Sequence, residues 1–208
     1  EKLYFKKLIK KFKLGENLQV LEIGFGNGAF LDFAQSIGWT VSGVELIPSL
    51  IDRAVQNGFK VYPSIFEISS DKKYDLIIAL DVIEHIEQNQ IPIFLGKIKD
   101  LLNSRAKLIL RVPNGSSPLG LDNQHGDVTH CSVITEGKMT YFIQNLDLSI
   151  DFKGADLYLI YNGKLIKTPS RILKRALQIL IERILRWIYS PQSKGVLSAN
   201  SIYLISNR

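Results

Sequence analysis

The chain has 208 residues, 46% of them hydrophobic and 22% charged, with a formal net charge of +6; such a composition excludes a disordered or collagen-like chain and fits one domain with a substantial core. Its one cysteine, Cys131, excludes an intrachain disulfide and a cysteine-based zinc site. No apolar run reaches the roughly eighteen residues of a spanning helix and none has the layout of a signal peptide, so a cytoplasmic location is expected, and the excess of Lys and Arg asks for an acidic partner: nucleic acid, an anionic membrane face or a phosphorylated substrate.

The chain opens on Glu1 and not on Met, so its ends tell little about targeting. The run Lys6-Lys7-Leu8-Ile9-Lys10-Lys11 reads as a solvated helix face. After it, apolar strand patterns alternate with helical ones, the signature of an α/β domain with a mostly parallel sheet. Strands are predicted near 18–24, 40–45, 59–62, 74–80 and 105–112, with helices near 28–37, 48–57 and 86–102 between them. Pro48 stands at a helix start, where its missing N–H costs nothing. Gly38 and Gly58 stand where C-terminal caps belong. A polar stretch rich in Gly, Pro, Ser and Asn, 113–130, follows the fifth strand. Then come a helix near 135–146, strands near 148–152 and 155–161, an amphipathic helix over 168–189 and a last strand over 200–206.

Val20-Leu21-Glu22-Ile23 is a buried strand that breaks into the turn Gly24-Phe25-Gly26-Asn27-Gly28 and then into the helix from Ala29. Glycines at such a turn let the backbone bend sharply and let a ligand lie against bare peptide. A pyrophosphate fingerprint reads G-x-G-x-x-G. Here the spacing is G-x-G-x-G, and Glu22, two residues before the first glycine, would repel a pyrophosphate and suit a cationic ligand. A second strand ends in Glu45, about twenty residues on, where a carboxylate can accept from both hydroxyls of a ribose. The strand Tyr74 to Leu80 breaks at its carboxyl end into Asp81, Glu84 and His85, at the edge where open α/β sheets bind ligands.

Glu22 to Gly28 resembles the first motif of class I S-adenosylmethionine-dependent methyltransferases, whose ligand carries a sulfonium and an amino group and no phosphate. Tyr74 to His85 resembles the fourth-strand motif of their small-molecule members and departs from the Asn-Pro-Pro-Tyr type of enzymes that methylate exocyclic amines of bases. The resemblance implies a Rossmann-like fold with a mostly parallel seven-stranded sheet and an antiparallel last strand. A helical insertion or lid, 162–195, would precede that strand within a single domain over 1–208. It implies S-adenosyl-L-methionine as cofactor, held by Glu22, Gly24, Phe25, Gly26 and Gly28, by Glu45 and Leu46, by Ser64, Ile65 and Phe66 after the third strand, and by Leu80 and Asp81. Many relatives place an acid after the third strand for the adenine amino group. Ser64 stands there in this chain, which leaves that hydrogen bonding to the backbone.

Past the fifth strand, Asp122-Asn123-Gln124-His125-Gly126-Asp127-Val128-Thr129-His130 gathers two histidines and several acids. Methyl transfer to a hydroxyl needs a general base, because that proton does not leave unaided near pH 7. His125 or His130 is the expected base and Asp127 its orienting partner, with His85 facing the same crevice. A plainer reading of His85 is a helix-start residue bonded to local backbone. His and Asp are metal ligands too, but the transfer requires none and no metal is expected. A polar loop held by its own Asx turns is the bland alternative. The loop is similar to one in methyltransferases of bacterial sugar and cell-surface glycan pathways, where a His-Gly-Asp-x-Thr-His run precedes the helix after strand five. That similarity implies in-line transfer to a sugar hydroxyl in a glycan or a nucleotide-linked sugar. Cys131 lacks surroundings that would activate it as a nucleophile.

Ser170 can cap the helix over 168–189. Arg171, Arg175, Gln178, Glu182 and Arg186 recur on one face, and Leu173, Leu177, Leu180, Ile184 and Ile188 line another. Such a helix fits packing on the core, a homodimer, a lid, or an anionic bilayer with Trp187 and Tyr189 at its surface, where a lipid-linked acceptor would be met. The positive charge also suits an RNA or protein methyltransferase, against which stands the lack of aromatic and basic interleaving. A non-catalytic module that keeps the fold would not need the ligand groups Glu22 and Glu45.

Overall fold

In the computed structural model, residues 1–157, 168–189 and 197–208 are described. Val20, Leu21, Ile23, Leu76 to Ala79 and Leu108 to Leu110 are buried, the unbroken apolar runs of strands covered on both faces. They belong to β1 (Gln19–Ile23), β4 (Tyr74–Leu80) and β5 (Leu102–Pro113). With β2 (Thr40–Val44), β3 (Lys60–Tyr62), β6 (Leu148–Ala155) and β7 (Asn200–Asn207), they form one sheet in the order β3-β2-β1-β4-β5-β7-β6. The first five pair in parallel, and β7 runs antiparallel to both β5 and β6. This is the Rossmann-like arrangement expected, down to the reversed last strand.

The helices are α1 (Lys2–Phe12), α2 (Ala29–Ser36), α3 (Pro48–Gln56), α4 (Ile91–Leu101), α5 (Leu121–His125), α6 (Glu136–Ile143) and α7 (Thr168–Tyr189). Successive strand residues point to opposite faces, so each strand feeds two cores. Leu21, Ile77 and Leu108 pack with Leu95 and Ile98 of α4 and Phe142 of α6. Val20, Ile78 and Ile109 pack with Leu8 of α1 and Phe30, Leu31 and Phe33 of α2. The lysine run 6–11 is therefore the outer side of a packed helix, whose Phe5, Leu8 and Phe12 are buried.

Three boundaries differ from expectation. α4 begins at Ile91 rather than near 86, because Ile83–His85 form a 3-10 turn and Pro92 sits in the first helical turn, where proline is tolerated. The polar stretch 113–130 contains α5 and a 3-10 turn, Pro118–Gly120. A separate strand over 155–161 is not formed at its start: β6 ends at Ala155, and 158–161 lie outside the described residues. Of the insertion, 168–189 is helical, and 162–167 and 190–195 lie outside the described residues. No helix among the described residues is long and apolar enough to cross a membrane.

Gly43 in β2 lies flat against the ring of Phe25, and a Cβ there would stand 2.5 Å from Phe25 Cδ1. Gly43→Ala is expected to cost about 1–3 kcal/mol by overpacking, read as a lower urea midpoint with an unchanged m-value.

Candidate active site

Gly24, Gly26 and Gly28 sit at φ +70°, +52° and +78°, the left-handed region that side chains disfavour. Gly24 N–H donates to Val44 O at 2.8 Å, and Gly28 N–H to Phe25 O at 2.8 Å. A Cβ on Gly26 or Gly28 would meet nothing within 4 Å, so the outer surface of the turn is open. On Gly24 it would strike Val82 Cγ2 at 2.6 Å, because the loop after β4 packs there. Glu45 closes the turn: its Oε2 accepts from Gly26 N at 3.0 Å, and its Oε1 from Leu46 N at 2.8 Å and Ile47 N at 3.2 Å. A carboxylate has about four lone-pair sites, so it keeps capacity for a ligand hydroxyl.

Glu22 is buried, and its Oε2 has no hydrogen-bond partner. Burial holds its carboxyl well above the usual carboxylate range, the Leu31 N–H opposing this and the Glu45 charge adding to it. An unpartnered buried carboxylate oxygen is costly, and a cationic ligand group beside it would offset that cost. Buried Glu22, the open glycine turn and Glu45 thus fit a ligand with a cationic end and a ribose.

Leu46 and Phe66 are exposed apolar side chains at this edge. Ser64 Oγ accepts from Phe66 N at 3.2 Å and caps the short turn Ile65–Glu67. Leu80 is half-buried against the second core. Two expected contacts are corrected. The rings and chains of Phe25 and Ile65 are buried, at 4% and 3% exposure, one against Gly43 and the other in the core. Both side chains are taken up in packing and offer almost no surface to a ligand.

Asp81 has φ +59°, rare for a residue with a side chain. Its N–H donates to Arg111 O at 2.9 Å. Its carboxylate accepts from Arg111 Nε at 2.9 Å and from the second guanidinium nitrogen. Arg111 also approaches Asp156 at 3.7 Å and lies over the ring of Tyr4, whose hydroxyl donates to Asp156 at 2.7 Å. Burial works to lower the Arg111 pKa, but its hydrogen bond to Asp81 and the surrounding charges raise it overall. Asp81, expected beside the cofactor, is thus held by Arg111 while 40% of its side chain stays accessible.

The loop past β5 is stitched to the turn after β4. Glu84 O accepts from Cys131 N at 2.9 Å and Ser132 N at 3.0 Å. Ser132 Oγ donates to Ile86 O at 2.6 Å, and Gln124 Nε2 to Ser132 O at 3.2 Å. These bonds bring His85 and His130 edge to face, with ring centroids 4.6 Å apart. Thr129 Oγ1 lies 2.9 Å from His85 Nδ1 and donates to Asp127 Oδ1 at 2.6 Å. A hydroxyl has one proton, so Thr129 must accept from His85 Nδ1–H, which leaves the His85 lone pair on Nε2. His130 Nδ1 lies 3.1 Å from Gln124 O, an acceptor, so its lone pair is on Nε2 as well.

Asp127 Oδ2 is 3.9 Å from His130 Nε2. The Thr129 hydroxyl and N–H hold the Asp127 carboxyl below its ordinary value. Asp127 orients His85 through Thr129 more directly than it touches His130. Among the described residues, no hydrogen bond, ion pair or ring contact joins the exposed His125 to this pair. The structure therefore couples His130 with His85 and leaves His125 apart. Glu84, unassigned from sequence, is wholly buried with both carboxylate oxygens unpartnered, and burial pushes its carboxyl up to about 7.

Residues 2–161 match a protein family described as a methyltransferase domain. The chain belongs to that family. Among curated proteins, this methyltransferase is 35% identical to the ubiquinone biosynthesis O-methyltransferase of Rickettsia typhi over 94 residues, 40% of this chain and 38% of that protein. It is 34% identical to the protein of the same name from Rickettsia bellii, over 40% of this chain and 39% of that one. The matches thus span about two-fifths of these relatives. Among solved structures, a SAM-dependent methyltransferase from Archaeoglobus fulgidus superposes with a TM-score of 0.67 at 18% identity, covering 100% of this chain and 95% of that one. Magnesium protoporphyrin IX methyltransferase from Synechocystis, crystallised with SAM, gives 0.60 at 14% identity over 100% and 79%. At these identities the likeness shows the fold, that of S-adenosylmethionine-dependent methyltransferases.

Because the folded state holds Glu22 protonated above the ordinary 4.5, the unfolded chain ionises first as pH rises, and the folded state loses stability relative to it over that window. Glu22→Gln removes the loss. Urea denaturation across pH should show variant and wild type similar near pH ~4, with the variant gaining steadily toward neutrality.

Proposed function

We propose that the chain is an S-adenosylmethionine-dependent O-methyltransferase acting on a sugar hydroxyl, in a glycan or a nucleotide-linked sugar. The observation that carries this reading is the meeting of two half-sites: the open glycine turn beside Glu22 contacts Val82, in the same loop that presents His85 to His130. Bound S-adenosylmethionine supplies an electrophilic methyl group on a sulfonium. Glu22 faces the cationic end, Glu45 takes a ribose hydroxyl, and exposed Leu46 and Phe66 offer apolar cover for the adenine. The acceptor hydroxyl must shed its proton as its oxygen attacks. The two Nε2 lone pairs of His85 and His130, oriented through Thr129 and Gln124, mark where that happens.

An anionic acceptor is supported by a cleft of about 490 Å3 lined by Lys7, Lys10, Lys11 and Arg175. Asp156, also on its wall, links it through Arg111 to Asp81. The likeness of the loop 122–130 to that of the glycan-pathway methyltransferases supports a sugar. The curated relatives' shared name supports O-methyl transfer and favours a second acceptor, an intermediate of ubiquinone biosynthesis. The outward Leu173, Leu180, Trp187 and Ile188 of α7, among Arg and Lys, suit a lipid-linked acceptor, an anionic membrane face or a second copy of the chain.

Calorimetry should show binding of S-adenosylmethionine, and Glu45→Ala should weaken it by about 1.5–3 kcal/mol, roughly 10–150-fold. His85→Ala and His130→Ala should each lower kcat by about 100-fold or more with cofactor affinity retained. Labelled methyl transfer assayed on nucleotide sugars, glycan extracts, ubiquinone-pathway intermediates and total RNA identifies the acceptor. Label confined to RNA, or to ubiquinone intermediates, would overturn the sugar reading.

A further inference from the structure

We propose that Glu84, His85 and His130 form a binding site for one divalent transition-metal ion. One ligand atom from each residue lies within 4.8 Å of the other two. Metal bonds of about 2.0–2.2 Å to nitrogen and oxygen set donor atoms about 3 Å apart, so side-chain rotations closing at most about 2 Å complete the set. Two imidazoles and one carboxylate are the donors that suit zinc and its first-row neighbours.

The hydrogen bonding points the same way. Both Glu84 oxygens are buried without a partner, although its backbone carbonyl is tied to Cys131 and Ser132. The ring N–H groups that could have served Glu84 are turned away, His85 to Thr129 and His130 to Gln124. The imidazole lone pairs are left on Nε2, and neither Glu84 oxygen has a hydrogen-bond partner among the described residues. Outer partners of this kind, a backbone carbonyl on one imidazole and a hydroxyl–carboxylate relay on the other, are what fix metal-binding histidines. Asp81 and Asp127 add negative charge at Glu84, and Arg111, whose charge also reaches it, is committed to Asp81 and Asp156.

His85 is exposed, so the ion would keep open positions toward solvent. An acceptor oxygen taking one of them would lose its proton more readily, to solvent, with the imidazoles holding the ion instead of the proton. That role, unlike the site itself, rests on the O-methyl transfer reading.

The test uses the full chain without an affinity tag, stripped with a chelator. Zn2+ followed by calorimetry and Co2+ followed by its visible absorption should each show one ion per chain. His85→Ala, His130→Ala and Glu84→Gln should weaken binding at least about tenfold, and Thr129→Val by about tenfold through the outer relay. His125→Ala should keep the wild-type affinity. His85 is exposed, so its variant keeps the proposal testable if Glu84→Gln fails to fold. Absence of saturable uptake, or equal affinity in wild type, His85→Ala and His130→Ala, would overturn the site. Methyl transfer by the stripped and reloaded enzyme separates the two readings. Binding with transfer indifferent to the ion removes its part in the proton step, and transfer without any binding leaves the imidazoles as base. Binding with no transfer to any hydroxyl sinks the O-methyl reading and leaves the site.

Discussion

Parallel pairing of β2, β1, β4 and β5 ends four strands on one edge of the sheet, and the polar chemistry collects there. Helices cover both faces of such a sheet, so its interior is apolar and charges are left to the strand ends. Glu45 and Asp81 leave the sheet there, and Arg111 lies two residues before the end of β5. Glu22 does not quite leave it: it lies in register between Gly43 of β2 and Ile78 of β4. The sheet therefore holds one carboxylate inside β1, and the ligand turn begins two residues later. Every other part of the site is placed relative to this edge by the segments that follow the strands.

The carboxylates Glu22 and Glu84 share a pattern. Both are buried, both have oxygens without partners, and both carry raised pKa values with burial as the leading cause. Neither helps the folded chain stand alone, since a buried polar atom without a partner is destabilising. Folds retain such groups where a ligand completes them, and the stability lost in the empty state reappears as binding. Val82, two residues before Glu84, packs its methyl group on Gly24, two residues after Glu22, so one loop couples the two half-sites.

Much of this was legible from residues alone, and the reasons differ by element. The glycine turn and Glu45 were readable because the chemistry depends on local spacing along one strand–turn–helix unit. The five parallel strands were readable because short apolar stretches alternate with helical patterns along the chain. Phe25 and Ile65 were misread because a residue inside a motif lends either its backbone or its side chain, and only packing against Gly43 and the core decides which. The pairing of His85 with His130 was not readable. It spans 45 residues in the chain and is set by backbone bonds to Glu84 O, which leave no mark in side-chain pattern. Thr129 and Gln124 orient the rings through the same stitching. α5 escaped notice because five residues are too few to show a helical period.

The contact of Tyr4 with Asp156 ties the far end of the chain into this edge. Asp156 shares Arg111 with Asp81, so the opening helix and the crevice are joined by one unbroken run of polar contacts, from Tyr4 through Asp156 and Arg111 to Asp81. On a map of strands and helices, α1 looks like a dispensable prefix to the glycine turn. Physically it braces Arg111, through Tyr4 and Asp156. A version of this protein cut back to begin at β1 would keep every motif residue and still lose a brace of Arg111.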